Sequence, residues 1–117
     1  MDIGGALRPL TRARGEARVL ARLRDGRSVL ANLRQAGAFK VLFPRGPGPA
    51  LDAVLLNTSG GMTGGDVFSV AAGASSGAAL TLSTQAAERA YRARPGERAA
   101  LSVALEVAAG GRIDWLP

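Results

Sequence analysis

The sequence contains neither cysteine nor histidine, and each absence removes a class of function. Without cysteine there is no disulfide framework and no thiolate metal site. Without histidine the chain lacks the commonest transition-metal ligand, the usual general base and the usual pH switch. The hydroxyl side chains that remain have no base beside them in any recognisable motif, so we do not expect an enzyme.

Aromatic residues and long apolar runs are also scarce. Aromatics make up 4% of the 117 residues, and the 47% hydrophobic content is largely Ala, Val and Leu, which predicts a core of small side chains. No window approaches the ~20 apolar residues of a membrane-spanning helix. The apolar residues at the start of the chain stop after Leu7 and arginines follow, whereas a signal peptide would continue with an apolar segment. We therefore expect a cytoplasmic protein of one domain.

Positive charge is concentrated near the start of the chain. Residues 1–34 hold eight arginines and three acids, which accounts for +5 of the net charge of +6. Such a surface attracts nucleic acid or acidic proteins. Because no aromatic residue interrupts this segment to stack on bases, the composition disfavours nucleic acid. A solvated face or an acidic protein partner is the preferred interpretation.

Apolar residues alternate with a period of two, which predicts a mainly β protein with antiparallel or mixed sheets, hairpins and at most one or two short helices. The alternation over residues 17–24 ends at Asp25-Gly26, a strong hairpin signal because both turn positions need φ > 0. Residues 1–14 show no period and are predicted to be a loose arm before a domain at 15–117. Five further strands are predicted over 39–43, 51–56, 67–71, 78–84 and 101–107.

The segment after Thr84 has two possible structures. Local propensity favours a short helix, with Thr84 as its cap, Glu88 and Arg92 paired one turn apart, and Pro95-Gly96 at its end. A strand with a kink is equally compatible with the pattern.

The last residues predict an unfinished structure. Gly110-Gly111 predicts a turn, after which 113–117 would pair with the strand at 101–108. The only tryptophan, Trp115, then lies in a hairpin with little length. We therefore expect a truncated domain that self-associates through an open sheet edge.

Four glycines lie within LLNTSGGMTGGD at residues 55–66, and they predict a tight double turn or a close approach of the backbone to another group. A nucleotide phosphate loop would need Lys and Ser or Thr after the last glycines, whereas Asp66 and a strand-like run follow here. Asp52, Asp66 and Asp114 are oxygen ligands suited to hard ions. The favoured alternative is that Asp66 bonds the amides of its own turn, which leaves it a weak metal candidate.

Three motifs in order make the chain resemble the urease accessory protein family UreD, also called UreH. They are LLNTSGGMTGGD, TLSTQAAERAYRA and RIDWLP, and LRQAGAFKVLFPR at 33–45 is similar to the segment that precedes them in the family. Six residues of the first motif fall on the family's characteristic positions, namely Asn57, Gly60, Gly61, Gly64, Gly65 and Asp66. The resemblance extends over about residues 35–117 and marks this chain as the N-terminal portion of longer family members.

The resemblance implies a non-catalytic β scaffold. Family members bind apo-urease and pair with UreF, which recruits the GTPase UreG, and the complex passes nickel to urease. It also implies no tightly bound cofactor, nickel handled only transiently, and no membrane partner. The candidate partner-binding residues are Gln85, Glu88, Tyr91, Arg92 and Trp115. The alternative is a small basic β-rich module that contacts nucleic acid or an acidic protein.

Overall fold

The computed structural model describes residues 14–58, 66–84 and 100–116, which form eight strands and no helix. In chain order the strands are β1 (Arg14–Arg24), β2 (Arg27–Gly37), β3 (Phe39–Leu42), β4 (Leu51–Asn57), β5 (Val67–Ala74), β6 (Ala79–Thr84), β7 (Ala100–Val107) and β8 (Arg112–Leu116). The prediction of a mainly β protein is confirmed. The loose arm, the double glycine turn and the helix after Thr84 lie outside the described residues, apart from Arg14, which begins β1.

The strands form two four-stranded sheets. The first has the order β2-β1-β5-β7 and the second the order β3-β4-β6-β8. β1 pairs with β2, and β3 with β4, in antiparallel fashion, whereas all other neighbours are parallel. The sheets are therefore mixed, which is one of the two arrangements that the sequence predicts.

From β4 onwards, consecutive strands alternate between the two sheets, and each new strand lies parallel to an earlier one. Val67 pairs with Ala100 in the first sheet and Ala79 with Arg112 in the second, so β7 and β8 repeat the positions of β5 and β6 at a constant offset of 33 residues. The turns repeat as well, because Gly77 and Gly110 both have positive φ and the Gly77 N–H donates to the Ala109 carbonyl. The chain thus winds as stacked coils.

The predicted pairing of 113–117 with the strand at 101–108 is wrong. β8 pairs with β6 in the second sheet, and β7 pairs with β5 in the first. The turn around Gly110 lies on the turn around Gly77, where the Arg112 N–H donates to the Ala78 carbonyl at 2.9 Å. This stacking carries the chain across to the other sheet, so it does not reverse within one.

The hairpin predicted at Asp25-Gly26 is confirmed. Asp25 has a φ of 51° and Gly26 a φ of 78°, so both turn residues adopt the left-handed conformation that the favoured hairpin turn requires. The register of the hairpin slips by one residue after Leu20 through an irregularity in the pairing with β2.

The inward faces of the two sheets form the core. Its fully buried members include Phe68 and Val19 of the first sheet and Leu55, Leu80 and Leu82 of the second. Phe39 and Phe68 stack across the sheets with ring centroids 4.8 Å apart. As the composition predicts, many of the other core positions are alanine.

The two ends of the sheet stack differ. At the end formed by β2 and β3, the side-chain carbonyl of Gln35 accepts the backbone N–H of Val41 at 2.8 Å, which satisfies an edge amide of β3. At the opposite end, the outer edges of β7 and β8 pair with no other described strand. There the inward-facing Val103, Leu105 and Val107 are 42%, 47% and 50% exposed.

We expect this open end to cause self-association. Replacing Leu105 with Lys should make the chain more monomeric in sedimentation velocity, because a charged residue on an edge strand opposes pairing with another chain. Leu23→Lys is the matched control, since Leu23 is equally exposed at 47% but lies at the closed β1–β2 hairpin. A wild-type chain that is monomeric at every concentration would contradict the prediction.

A second prediction concerns the space at Gly15. A Cβ there would lie 2.8 Å from Cδ1 of Phe68 and 3.0 Å from Cγ of Phe39, so Gly15→Ala must displace the stacked rings. We expect a loss of about 1–3 kcal/mol in the free energy of unfolding, measured by thermal or chemical denaturation. Gly48→Ala is the control, because no atom lies within 4 Å of its added Cβ. Equal stability of the two variants would refute the argument.

Candidate functional site

The described residues that flank the glycine motif and the motif after β6 lie at one end of the sandwich. β4 ends at Asn57 and β6 at Thr84, in neighbouring parallel strands where Leu55 is opposite Thr84. β5 begins just after Asp66, and the Ala100 N–H at the start of β7 donates to the Asp66 carbonyl at 2.9 Å. We call this region, defined by Asn57, Asp66, Thr84 and Ala100, the motif end. Two segments that are distant in sequence therefore reach one surface.

Of the predicted site residues, Asn57 and Asp66 lie at the motif end and Trp115 lies on β8. Asp66 is buried, with 4% of its surface exposed, and Asn57, Asp66 and Thr84 each take part in interactions within the fold. This is compatible with a structural role for Asp66. The other predicted residues lie outside the described parts of the chain, namely Gly60, Gly61, Gly64, Gly65, Gln85, Glu88, Tyr91 and Arg92.

Trp115 contributes to the packing at the open end. It lies opposite Leu82 of β6 and packs, half-buried, against the core. Its proposed role in partner binding stays a prediction.

The three aspartates considered as metal ligands do not come together. Asp52 and Asp114 flank Thr81 on the outer face of the second sheet, and Asp114 pairs with Arg112 at 2.8 Å. Asp66 is buried at the motif end. Within 14–58, 66–84 and 100–116, no group of three or more acidic side chains is arranged to hold a metal ion. Asp66 as a weak metal candidate stays a prediction.

One glycine allows the strands to approach each other closely beneath the motif end. Gly37 ends β2 with a φ of 65°, and an added Cβ would lie 2.1 Å from the Arg14 carbonyl oxygen. That carbonyl accepts the Ala38 N–H at 2.8 Å, and the Ala38 carbonyl in turn accepts both the N–H and the hydroxyl of Thr58. These contacts tie β1, β3 and the start of the glycine motif together.

The outer face of β1 and β2 carries the basic charge that the composition indicates. The Arg34 guanidinium donates to the Glu16 carboxylate. This hydrogen bond and the charge of Arg34, with a smaller effect of Arg18, hold the pKa of Glu16 below its ordinary value. Arg18 and Arg22 are exposed on the same face of β1. The distribution of arginines along the sequence predicted this basic surface, but it did not indicate the uncharged strip beside it, on β5 and β7.

Together the fold and the motif end define a class: a β sandwich of stacked coils in which the strands that flank two sequence motifs end or begin at one surface. The family model described as UreD urease accessory protein matches residues 13–117. This chain belongs to the UreD urease accessory protein family. No helix in the described residues has the length and apolar character needed to cross a membrane.

Three relatives illustrate the match. The urease accessory protein UreD of Chelativorans sp. (strain BNC1) is 49% identical over 93% of this chain and 39% of its own length. That of Ruegeria sp. (strain TM1040) is 47% identical over 99% of this chain and 39% of its own. That of Bradyrhizobium diazoefficiens is 41% identical over 100% of this chain and 42% of its own. The chain thus spans about two-fifths of the length of these relatives.

The Glu16–Arg34 pair gives a testable titration. Because the folded-state pKa of Glu16 is lowered, its stabilising effect is present above the ordinary Glu pKa and is lost as the pH falls through the lowered value. Arg34→Ala should move the pKa of Glu16 back towards its ordinary value in an NMR titration of the carboxyl carbon. Arg24→Ala, at the exposed end of β1, should leave it unchanged. An identical Glu16 titration in both variants would contradict the assignment.

Proposed function

We propose that this chain acts in urease maturation as a non-catalytic scaffold subunit of the complex that inserts nickel into apo-urease. The observation that carries the proposal is the family match over residues 13–117, together with relatives named urease accessory protein. The expected partners are apo-urease, UreF and UreG. Because the chain spans about two-fifths of these relatives, each partner is proposed from the family and tested on this chain directly.

The chemistry of the chain supports transient handling of nickel. Cysteine and histidine, which bind nickel far better than carboxylates do, are missing from the whole sequence. A protein with oxygen ligands alone is suited to hold partners together while the metal passes, and it is poorly suited to store the metal.

The motif end is the surface that we expect to face the maturation partners. It brings the ends of β4 and β6 beside the starts of β5 and β7, so both family motifs emerge from one rigid platform. Buried Asp66 and Thr84 anchor that platform, because each is almost fully removed from solvent and engaged within the fold. A scaffold needs such a fixed base to hold its partner-facing segments in a defined orientation.

The proposal predicts capture of the maturation partners. We expect the tagged chain to retain apo-urease or UreF from a lysate that co-expresses urease subunits, UreF and UreG, with the full-length Ruegeria relative as positive control. The Asp66→Ala variant should retain less, since loss of a buried, engaged carboxylate costs about 1–3 kcal/mol and loosens the platform. Leu42→Ala, at an exposed position of β3, is the surface control.

Two results would overturn the proposal. One is capture by the full-length relative with none by this chain under the same conditions. The other is submicromolar nickel binding by the chain alone in calorimetry, which would indicate a metal store instead of a scaffold. Salt-dependent binding to nucleic acid, without binding to urease or UreF, would favour the alternative of a basic binding module.

A further inference from the structure

The outer face of the first sheet contains a strip of very small side chains. On β5 and β7 the outward residues alternate with buried ones such as Phe68 and Val70, and the pairing sets Ser69 beside Ser102 and Ala71 beside Ala104. We call these four residues the small-residue floor. Both strands are smooth here, so another backbone can approach the sheet closely.

Shallow depressions lie over the small-residue floor, and a neighbouring side chain marks one of its ends. Two adjoining depressions of about 200 and 350 Å³ lie over it and share Arg18, Ala71 and Ala104 in their linings. At one end the Leu20 side chain lies across Gly73, where an added Cβ would be 2.8 Å from Leu20 Cδ1. A third depression of about 270 Å³ touches β5 at Val67 and Ser69 but lies mainly over β1 and β2.

The dimensions fit one α-helix. The outward face of β5 that contains the floor runs from Val67 to Gly73, which is six residue steps or about 20 Å at ~3.3 Å per step. Each strand occupies about 4.8 Å of the sheet, so β5 and β7 together match the ~10 Å width of a helix. At 1.5 Å per residue, a helix of about 13 residues fills this length.

The charges beside the floor are mostly positive. Along its β1 side lie Arg14, Arg18 and Arg22, while the one acid on that strand face, Glu16, is engaged by Arg34. Glu106 is the acidic residue at the far corner on β7, opposite Gly73. A ligand that is acidic along one flank and small and apolar beneath therefore complements this surface.

We propose that the small-residue floor is a docking site for an acidic amphipathic helix of a partner protein. Small apolar side chains of that helix would rest on Ser69, Ala71, Ser102 and Ala104, and its carboxylates would pair with Arg18 and Arg14. The inference stands apart from the role in urease maturation, since it specifies only the chemistry of the partner.

A protein ligand fits this face better than nucleic acid does. Single-stranded nucleic acid binds through aromatic platforms, but Phe39 and Phe68 are buried in the core and stacked on each other. The floor itself is uncharged, and the arginines line only one side of it. A phosphate backbone would gain little from four Ser and Ala side chains, whereas a helix packs on them directly.

The test uses the whole chain and a fluorescein-labelled 14-residue helical peptide with Ala on one face and Glu along one flank. Fluorescence anisotropy should show binding that weakens with salt. Arg18→Glu should weaken it at least about tenfold, the loss expected for a charge-assisted contact. Arg45→Glu makes the same charge change in the loop between β3 and β4 and should leave affinity within about twofold.

Steric variants distinguish packing of the peptide on the small-residue floor from non-specific electrostatic attraction. Ala71→Phe and Ser102→Phe fill the floor without changing charge, and each should weaken binding at least about tenfold. Val54→Phe, on the outer face of the second sheet, should have no effect. Circular dichroism would check that every variant keeps its β structure, and two independent floor positions guard against failure of one to fold.

Four outcomes would overturn the proposal. These are no binding of the glutamate peptide at millimolar concentration, equal binding of its lysine counterpart, and equal losses from Arg18→Glu and Arg45→Glu. The fourth is tighter binding of a 15-nucleotide oligouridine that the floor variants abolish, which would assign the face to nucleic acid.

Discussion

Phe39 and Phe68 come from different sheets, yet their rings stack 4.8 Å apart, and the spacing of the two sheets near the motif end depends on this contact. Phe68 is the second residue of β5, directly below buried Asp66, while Phe39 is opposite Asn57 in the pairing of β3 with β4. The pair therefore fixes the separation of the sheets where the motifs leave them. Gly15 makes room for both rings, so a residue without a side chain is as necessary here as the aromatics themselves.

Away from this pair the core is thin, and the regularity of the coils compensates for it. Alanines such as Ala53 and Ala72 bring little apolar area to the interior, so the sheets depend on continuous ladders of backbone hydrogen bonds. Repetition of the same turn at Gly77 and Gly110 keeps those ladders in register. A single misplaced turn would shift a whole strand to the wrong face.

Local features of this fold could be read from the sequence, and long-range ones could not. The Asp25-Gly26 hairpin followed from turn chemistry within two residues, and the strands followed from alternation. The partner of β8 did not, because a Gly-Gly turn looks the same whether the chain reverses in one sheet or crosses to another. A signal was present, since Ser69-Val70-Ala71 recurs as Ser102-Val103-Ala104 at the same offset of 33 residues that the strand pairing shows.

The candidate site shows the same contrast between local features, which the sequence predicts, and long-range ones, which it does not. The motifs identified the family and placed Asn57 and Asp66 in one region, but the meeting of the two motifs at one end depends on parallel pairing between distant strands. The sequence alone does not reveal the small-residue floor, because alternating Ser and Ala in strands resemble a plain solvent-facing surface. Only the register, which sets two such strands side by side, makes the strip continuous.

The contrast between the two ends of the sheet stack sets a limit on assembly. At one end Gln35 covers the Val41 amide, and β2 presents arginines and an irregular register, all of which obstruct strand addition. At the other end β7 and β8 are uncovered. If two copies of this chain associate only through the β7–β8 ends, the contact is isologous and closes at a dimer, because the β2–β3 end obstructs the addition of a third copy.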